Sequence, residues 1–81
     1  MDTLIEHLAL CIRYHRKRSK LSQADLAKLA GIGKTAVFDI EHGKETVQID
    51  TLLKILNVLN IKMKLASPLM QEFEESLNAT S

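Results

Sequence analysis

The sequence predicts a small, mainly α-helical domain of four to five helices, with one short strand near its C-terminal end. Its 81 residues are enough for one small domain, which excludes a multidomain enzyme. Leucine, isoleucine and alanine recur at intervals of three and four residues, which is the spacing of one helix face. Aromatic residues make up only 4% of the chain and tryptophan is absent, so the core must consist mainly of aliphatic side chains. These features favour short, packed helices.

The chain offers few means of stabilisation besides its own core. Cys11 is the only cysteine, so no internal disulfide can form, and no cysteine or histidine stands at zinc-ligand spacing. We therefore expect no metal site. Because His7, His15 and His42 lack metal-ligand spacing and no acidic pair stands in a recognisable pocket motif, we also expect no cofactor, no catalytic residue and a protein that is not an enzyme. A chain this short buries only a modest share of its surface, so association with a second copy is the remaining means of stabilising it.

The sequence carries no sign of membrane insertion or secretion. No apolar stretch approaches the length of a membrane span, and the N-terminus lacks the basic and apolar regions of a secretory signal. We expect a cytoplasmic protein without a membrane partner.

The first predicted helix covers residues 3–19. Thr3 and Glu6 form the capping-box pattern that opens a helix. Its apolar face repeats at intervals of three and four residues, at Leu4, Leu8, Cys11, Ile12 and His15. Cys11 is therefore expected to be a small core side chain rather than a nucleophile or a redox sensor.

Three further helices are bounded by caps and glycines. Ser22 is the predicted N-cap of a second helix that ends at Gly31. A third helix fits residues 34–42, with Gly43 directly after it, and a fourth spans residues 49–60. The residues expected to face the core on the second and third helices are Leu26, Leu29, Ala30, Ala36, Val37 and Ile40.

Residues 61–65 change to a strict alternation of apolar and basic side chains, which is the periodicity of a strand. A lone strand in a helical chain has no partner for its backbone hydrogen bonds, and an unpaired edge invites another chain. We therefore predict that residues 61–66 pair with their own copy across a two-fold axis, with Ile61, Met63 and Leu65 at the dimer interface. The alternative is that this segment extends the fourth helix.

Residues 67–81 are predicted to form an acidic C-terminal helix or tail, after a domain that covers residues 1–66. Ser67 and Pro68 resemble an N-cap followed by the first helical residue. Leu69, Phe73 and Leu77 follow at four-residue intervals, so they form a candidate partner-binding stripe.

The net charge of +1 hides an uneven distribution. Residues 13–44 carry eight basic and three acidic side chains, a net charge of +5, whereas residues 1–12 and 67–81 carry −2 and −3. Two interpretations stay open for the basic segment. Either it faces a polyanionic partner, or its cluster at residues 16–18 is only the solvated end of the first helix, favoured by the helix dipole.

The second and third helices meet the steric requirements of a helix-turn-helix motif. A small residue must stand where the two helices cross, and Ala27 does so. The turn needs a left-handed backbone, and Gly31 follows four positions later. Apolar residues stand before and after the turn, at Leu26, Ala30, Ile32, Val37 and Ile40. All seven positions agree at fixed spacing, which predicts the motif.

Residues 21–43 resemble the Xre/Cro family of helix-turn-helix regulators, and the resemblance extends over about residues 10–60. It is carried by Ser22-Gln23, Leu26-Ala27, Gly31-Ile32, Ile40-Glu41 and Gly43-Lys44. The resemblance implies a lambda-repressor-like fold, DNA binding, and a structural ion pair between Arg16 and Glu41. Residues 52–65 are similar to HipB-type antitoxins, in which a short strand pairs between subunits and the dimer binds both operator DNA and a HipA-type kinase toxin.

In a helix-turn-helix protein the N-terminal end of the second motif helix enters the major groove. The outward residues there are the candidate base contacts, Gly33, Lys34, Thr35 and Phe38. Lys34 can donate to guanine, and Thr35 can form a hydrogen bond or place its methyl group near that of thymine. Phe38 either contacts thymine methyl groups or folds back against Val47 or Ile49.

Affinity is expected to come mostly from the DNA backbone. Ser22 and Gln23 at the start of the second helix, and Lys44 after the third, are the candidate phosphate contacts. The family resemblance gives Gln23 and Lys44 the same role. Asp39 would repel phosphate, so it is expected to orient a neighbouring basic side chain or to accept from a cytosine amino group.

These features predict a DNA-binding transcriptional repressor that acts as a HipB-like antitoxin, autoregulates its operon and binds a HipA-type toxin. As a two-fold homodimer it would bind a palindromic double-stranded operator. Two alternatives stay open: a free-standing phage-type repressor or restriction-modification controller without a toxin partner, and an interaction adaptor whose DNA-binding head is degenerate. A strand at residues 61–65 favours the antitoxin, and a fifth helix there favours the free-standing repressor.

Overall fold

The structure, a computed structural model, describes residues 3–79 and consists of five α-helices. These are α1 (Thr3–Arg18), α2 (Gln23–Ala30), α3 (Lys34–Glu41), α4 (Ile49–Val58) and α5 (Met70–Ala79). No strand occurs within residues 3–79, and the predicted helix-turn-helix fold is confirmed. The predicted capping box at the start of α1 depends on the side chain of Thr3, which lies outside the described residues. None of the helices in the described range is long and apolar enough to cross a membrane.

The ends of α2 and α3 lie within one residue of the predicted positions, because local groups determine them. The Asp25 N–H donates to the Ser22 hydroxyl at 3.0 Å, and the Ser22 N–H donates to the Asp25 carboxylate at 3.1 Å. This capping box opens α2. Gly31 and Gly43 follow α2 and α3 with φ of 71° and 75°, in the left-handed region where a side chain is unfavourable.

One cluster of buried aliphatic side chains joins the first four helices. Its buried members are Ile12, Leu26, Ala27, Val37, Ile40, Leu52, Ile55, Leu56 and Leu59. Ala27 is 3% exposed, as a residue at the close approach of two helices must be. The core predictions for Leu4 and Leu29 are wrong, since these side chains are 70% and 61% exposed. Leu29 lies roughly 100° around α2 from the centre of its buried face, and Leu4 lies on the open first turn of α1.

Within one chain, residues 61–67 form neither a strand nor a helix, so the predicted strand at residues 61–66 is not supported. The alternative of a longer fourth helix is wrong, because α4 ends at Val58 and Asn60 turns to φ of 58°. Alternating side chains create two faces, but a strand also needs a second backbone that pairs with its N–H and C=O groups. The segment thus matches neither the strand expected of a HipB-type antitoxin nor the fifth helix expected there of a free-standing repressor.

The helix α5 begins two residues after Pro68 and stands apart from the other four. Close packing joins α2 to α3, α2 to α4, α1 to α3 and α3 to α4, and among the described residues α5 takes part in no such pair. No residue of α5 is buried over its described length. The radius of gyration is 15.1 Å, against about 12 Å for a compact chain of this length, which fits a helix that projects from the body.

Candidate nucleic-acid interface

The helices α2 and α3, with the turn between them, have the geometry of a helix-turn-helix motif. The Ile32 N–H donates to the Ala27 carbonyl at 3.0 Å, and the Gly31 N–H donates to the Lys28 carbonyl at 3.3 Å. Leu26 on α2 and Val37 on α3 are completely buried in the shared core. The turn and the core therefore hold the N-terminal ends of the two helices in a fixed relation.

The first turn of α2 presents polar groups at its surface. Ser22 is exposed, and a hydroxyl that accepts a hydrogen bond from Asp25 can still donate one to a phosphate oxygen. The hydrogen bonds with the backbone and side chain of Ser22 lower the pKa of Asp25, which favours the charged carboxylate in the capping box. Gln23 is half-buried, and its side-chain amide donates to Glu41 Oε1 at 3.3 Å.

The N-terminal end of α3 has no side-chain cap within the described residues, because its N-cap is Gly33. Gly33 has an ordinary φ of −76°, and a Cβ built there would meet nothing within 4 Å. The fold therefore does not require glycine at this position. Lys34 and Thr35 follow it and are exposed. Uncapped N–H groups at the positive end of a helix dipole favour an anionic ligand.

Residues from the ends of both helices border one surface cavity of about 460 Å³, lined by Gln23, Lys34, Thr35 and Phe38. Three of the predicted base contacts and one predicted phosphate contact are thus neighbours. Lys44 lies outside this lining and borders a second cavity of about 170 Å³ on the other side of α3. An ammonium, a hydroxyl, an amide and an aromatic ring at one open cavity can contact several kinds of groups on a DNA edge.

The ring of Phe38 stacks on the ring of His42, one helical turn later. The two centroids are 3.8 Å apart and the planes are inclined by 23°. His42 Nδ1 lies 2.7 Å from the Phe38 carbonyl oxygen, a distance at which this nitrogen donates a hydrogen bond. Phe38 is 47% exposed, so the stack holds the ring in place and leaves about half of the residue accessible.

Lys44 is paired with Asp39. Lys44 Nζ lies 3.4 Å from Asp39 Oδ2, and the Lys44 N–H donates to the Asp39 carbonyl at 3.0 Å. The structure thus gives Asp39 the first of its two expected roles, in which it orients a basic side chain. The Lys44 side chain is 55% exposed, which leaves its ammonium group accessible to a phosphate.

Arg16 and Glu41 form an ion pair between α1 and α3. Arg16 Nε donates to Glu41 Oε2 at 2.6 Å, and a terminal guanidinium nitrogen donates to Oε1 at 2.9 Å. The other terminal nitrogen donates to the Leu21 carbonyl at 2.9 Å. The two side chains are 11% and 1% exposed. The hydrogen bond and the charge of Glu41 raise the pKa of Arg16, and the pair fixes the C-terminal ends of the two helices together.

The model of the helix-turn-helix family HTH_3 matches residues 12–65, a range that includes α2, α3 and α4. The chain belongs to this helix-turn-helix family. Over 57 residues this helix-turn-helix protein is 37% identical to the uncharacterized HTH-type transcriptional regulator y4mF of Sinorhizobium fredii (strain NBRC 101917 / NGR234). That match covers 70% of the chain and 75% of y4mF.

Two solved structures superpose on this helix-turn-helix protein with a TM-score of 0.72 and 26% identity. One is the MDT protein, and the other is a chain of the HipA-HipB-O2-O3 complex. Each match covers 79% of this chain and 90% of the matched chain. The resemblance to Xre/Cro-type regulators and to HipB-type proteins is thereby confirmed. The chain is a DNA-binding transcription regulator, and members of its family are not typically enzymes.

Two contacts of this helix-turn-helix protein were not predicted. The amide of Gln23 joins the ion pair at Glu41, and His42 stacks on Phe38. Gln23 and Glu41 are 18 residues apart, so no local pattern indicates their contact. Phe38 and His42 stand four residues apart on a predicted helix, and that spacing could have predicted the stack.

Proposed function

We propose that this regulator is a repressor that binds a palindromic operator as a homodimer, and that it is the antitoxin of an operon it autoregulates, with a HipA-type kinase as the toxin. The observation that carries the DNA part is the cavity where the ends of α2 and α3 bring Gln23, Lys34, Thr35 and Phe38 together. The likeness to a chain of the HipA-HipB-O2-O3 complex supports the antitoxin part.

Gly33, Lys34, Thr35 and Phe38 are the residues that we assign to base recognition. With the N-terminal end of α3 in the major groove, the Lys34 ammonium donates to guanine O6 and N7. Thr35 contacts thymine or a neighbouring acceptor through its methyl and hydroxyl groups. The accessible part of the Phe38 ring packs against thymine methyl groups. Gly33 has no side chain, so the DNA can approach the first N–H groups of α3 closely.

Ser22, Gln23 and Lys44 are the residues that we assign to phosphate binding. Ser22 and Gln23 stand at the N-terminal end of α2, where backbone N–H groups and the helix dipole attract an anion. The Gln23 amide donates one of its two N–H groups to Glu41, which leaves the second and the backbone N–H as donors to a phosphate. Lys44 supplies a full positive charge next to the end of α3, where Asp39 holds it.

Selection of binding sites from randomised duplexes tests the DNA part. The full-length protein should enrich a palindrome whose half-sites are about one helical turn, or ~10 base pairs, apart. A reporter that carries this palindrome at its promoter should be repressed by the wild-type protein. Recovery of no consensus sequence, with retention that does not depend on salt, would contradict DNA reading and favour the interaction adaptor.

Co-expression with the product of the adjacent gene tests the antitoxin part. We expect the two proteins to co-purify, and we expect the regulator to abolish the kinase activity of its partner at equimolar concentration. A different result would contradict the antitoxin proposal: the adjacent gene product does not bind the regulator and has no kinase activity, while the regulator still binds the selected palindrome. The protein would then be a free-standing repressor.

A further inference from the structure

The helix α5 carries an apolar stripe that packs poorly in a single chain. Phe73 and Leu77 of α5 are each 55% exposed, and Leu69, directly before the helix, is 66% exposed. The Phe73 N–H donates to the Leu69 carbonyl at 3.0 Å, and the four-residue spacing places the three side chains on one face. An isolated helix shorter than about 12–15 residues is marginally stable in water, and α5 has ten. A surface that accepts this stripe would stabilise α5.

A matching apolar groove lies on the body of the protein. It has a volume of about 350 Å³ and is formed by Leu4 and Leu8 of α1, Leu52 and Leu56 of α4, and residues 61–65. Met63 and Leu65 on its wall are 52% and 77% exposed. This α1–α4 groove therefore offers apolar surface of the kind that the α5 stripe needs, and a small chain gains stability by covering it.

The charges of the groove and of α5 are complementary. Lys62 and Lys64 line the α1–α4 groove, between its apolar wall residues. The helix α5 carries no basic residue over its described length, and Glu72 and Glu74 flank its apolar stripe on either side. Glu75 lies on the opposite face, where it accepts a hydrogen bond from the Gln71 amide at 3.3 Å. Opposite charges around an apolar contact favour one partner and fix its orientation.

We infer that α5 of one copy lies in the α1–α4 groove of a second copy, so that two chains exchange their C-terminal helices in a homodimer. Only residues 66–69 connect the groove wall to α5, and this connection contains Pro68. To reach the groove of its own chain, α5 would have to reverse direction within these four residues. They follow directly after residues 61–65, which form the wall of that groove. A short, restricted connection favours exchange between copies, and a two-fold axis then fills both grooves at once.

This inference rests on the homodimer of the proposed function, and it adds the surface that holds the dimer. Neither the α1–α4 groove nor the apolar stripe shares a residue with the cavity at the ends of α2 and α3. A variant of the stripe therefore leaves the DNA-contacting residues of each chain intact, although loss of the dimer lowers the affinity for a palindrome. The dimer is accordingly measured directly, in the absence of DNA.

The first test changes the charge on the two faces of α5 in the full-length protein. Phe73→Glu places a carboxylate on the apolar stripe, and Gln71→Glu places one on the opposite face as the control. On that face it replaces the exposed 3.3 Å hydrogen bond from Gln71 to Glu75 with a weak repulsion that does not involve the stripe. By analytical ultracentrifugation, we expect Phe73→Glu to raise the dimer dissociation constant roughly tenfold or more, since a buried aromatic contact is lost. Gln71→Glu should stay a wild-type dimer. Circular dichroism of both variants checks that the body remains folded.

The second test distinguishes exchange from back-folding. In a Cys11→Ala background, oxidation of the double variant Phe73→Cys and Met63→Cys should give a covalent dimer on a non-reducing gel. A disulfide within one chain would overturn the exchange. A Phe73→Glu protein that stays dimeric would also overturn the exchange. If such a protein no longer binds the toxin, the stripe is a surface for another protein and not for a second copy. If Phe73→Glu dissociates the dimer but the wild type binds no duplex, the proposed function fails and the exchange stands.

Discussion

Glu41 fastens the C-terminal end of α3 to its neighbours. Its side chain is 1% exposed, and its carboxylate accepts hydrogen bonds from Arg16 and Gln23. A buried carboxylate is costly unless it is both paired with a charge and hydrogen-bonded, so these two partners offset its burial. Because Arg16 lies on α1 and Gln23 on the first turn of α2, one carboxylate couples three helices.

The substitution Arg16→Met should lower the free energy of unfolding by roughly 3 kcal/mol, because it leaves the Glu41 carboxylate buried without its charged partner. Urea denaturation measures this loss. The exposed Arg13 on the same helix provides the control Arg13→Met, for which we expect little change. Arg16→Met combined with Glu41→Met removes the unpaired charge and should recover most of the stability. A double variant as unstable as the single one would contradict the ion-pair explanation.

Lys34 and Lys44 are expected to act differently on DNA, because one stands at the reading end of α3 and the other beside a phosphate. Lys34→Ala should relax the base preference at one position of each half-site. Lys44→Ala should weaken binding to all sequences alike and reduce the salt slope by about one for each half-site. Competition assays against a panel of single-base operator variants measure both effects. An unchanged preference in Lys34→Ala would show that another residue reads that base.

Among the elements, the turn between α2 and α3 contains two glycines whose backbone angles differ. Gly31 has φ of 71°, which a side chain disfavours, whereas Gly33 has φ of −76°, which any residue adopts. A Cβ would meet nothing within 4 Å at either position, so contacts do not separate them. The backbone angle alone makes glycine necessary at the first position and optional at the second.

The substitution Gly31→Ala should therefore destabilise the protein by about 1 kcal/mol through backbone strain. Gly33→Ser is the matched change, and we expect it to alter stability by only a few tenths of a kcal/mol, since serine is also a good N-cap. Thermal unfolding of the two variants provides the comparison. Equal losses in both would mean that the left-handed angle at Gly31 is not the cause.

At the level of the whole molecule, the positive and negative charges are concentrated in different segments of the chain. The net charge of +5 lies in residues 13–44, which contain α2, α3 and the phosphate-binding candidates. The three glutamates of α5 lie on the projecting helix. Exchange between copies would place Glu72 and Glu74 beside Lys62 and Lys64, on a groove that shares no residue with the DNA-binding cavity. A net charge of only +1 for the whole chain is therefore compatible with strong attraction to DNA.

Operator binding should depend steeply on salt. A dimer that neutralises about six to ten phosphates loses roughly 10³–10⁵ in affinity between 50 and 200 mM salt, because condensed counterions are released on binding. Fluorescence anisotropy with the selected palindrome and with a scrambled duplex measures the slope for specific and nonspecific binding. A flat salt response on both duplexes would contradict docking of α2 and α3 on the DNA backbone.

The helices and the helix-turn-helix motif could be read from the sequence because their signals are local. The cap at Ser22 and the left-handed glycines Gly31 and Gly43 act through atoms within a few residues, and the structure has these helix ends within one residue of their predicted places. The buried Leu26 and Val37 followed from the same periodicity. The candidate DNA contacts on α2 and α3 could be named from the motif for the same reason.

The tertiary structure decided those features that depend on which surfaces of the helices and loops contact each other. Leu29 fits a helical apolar pattern and is exposed, because no neighbouring element covers that side of α2 within the described chain. The alternation at residues 61–65 predicted a strand, but a strand needs a second backbone, and in one chain that segment forms the wall of a groove instead. Gln23 meets Glu41 across 18 residues, and Arg16 meets it across 25. Such contacts depend on how the helices pack, because residues so far apart in sequence become neighbours only once the chain has folded.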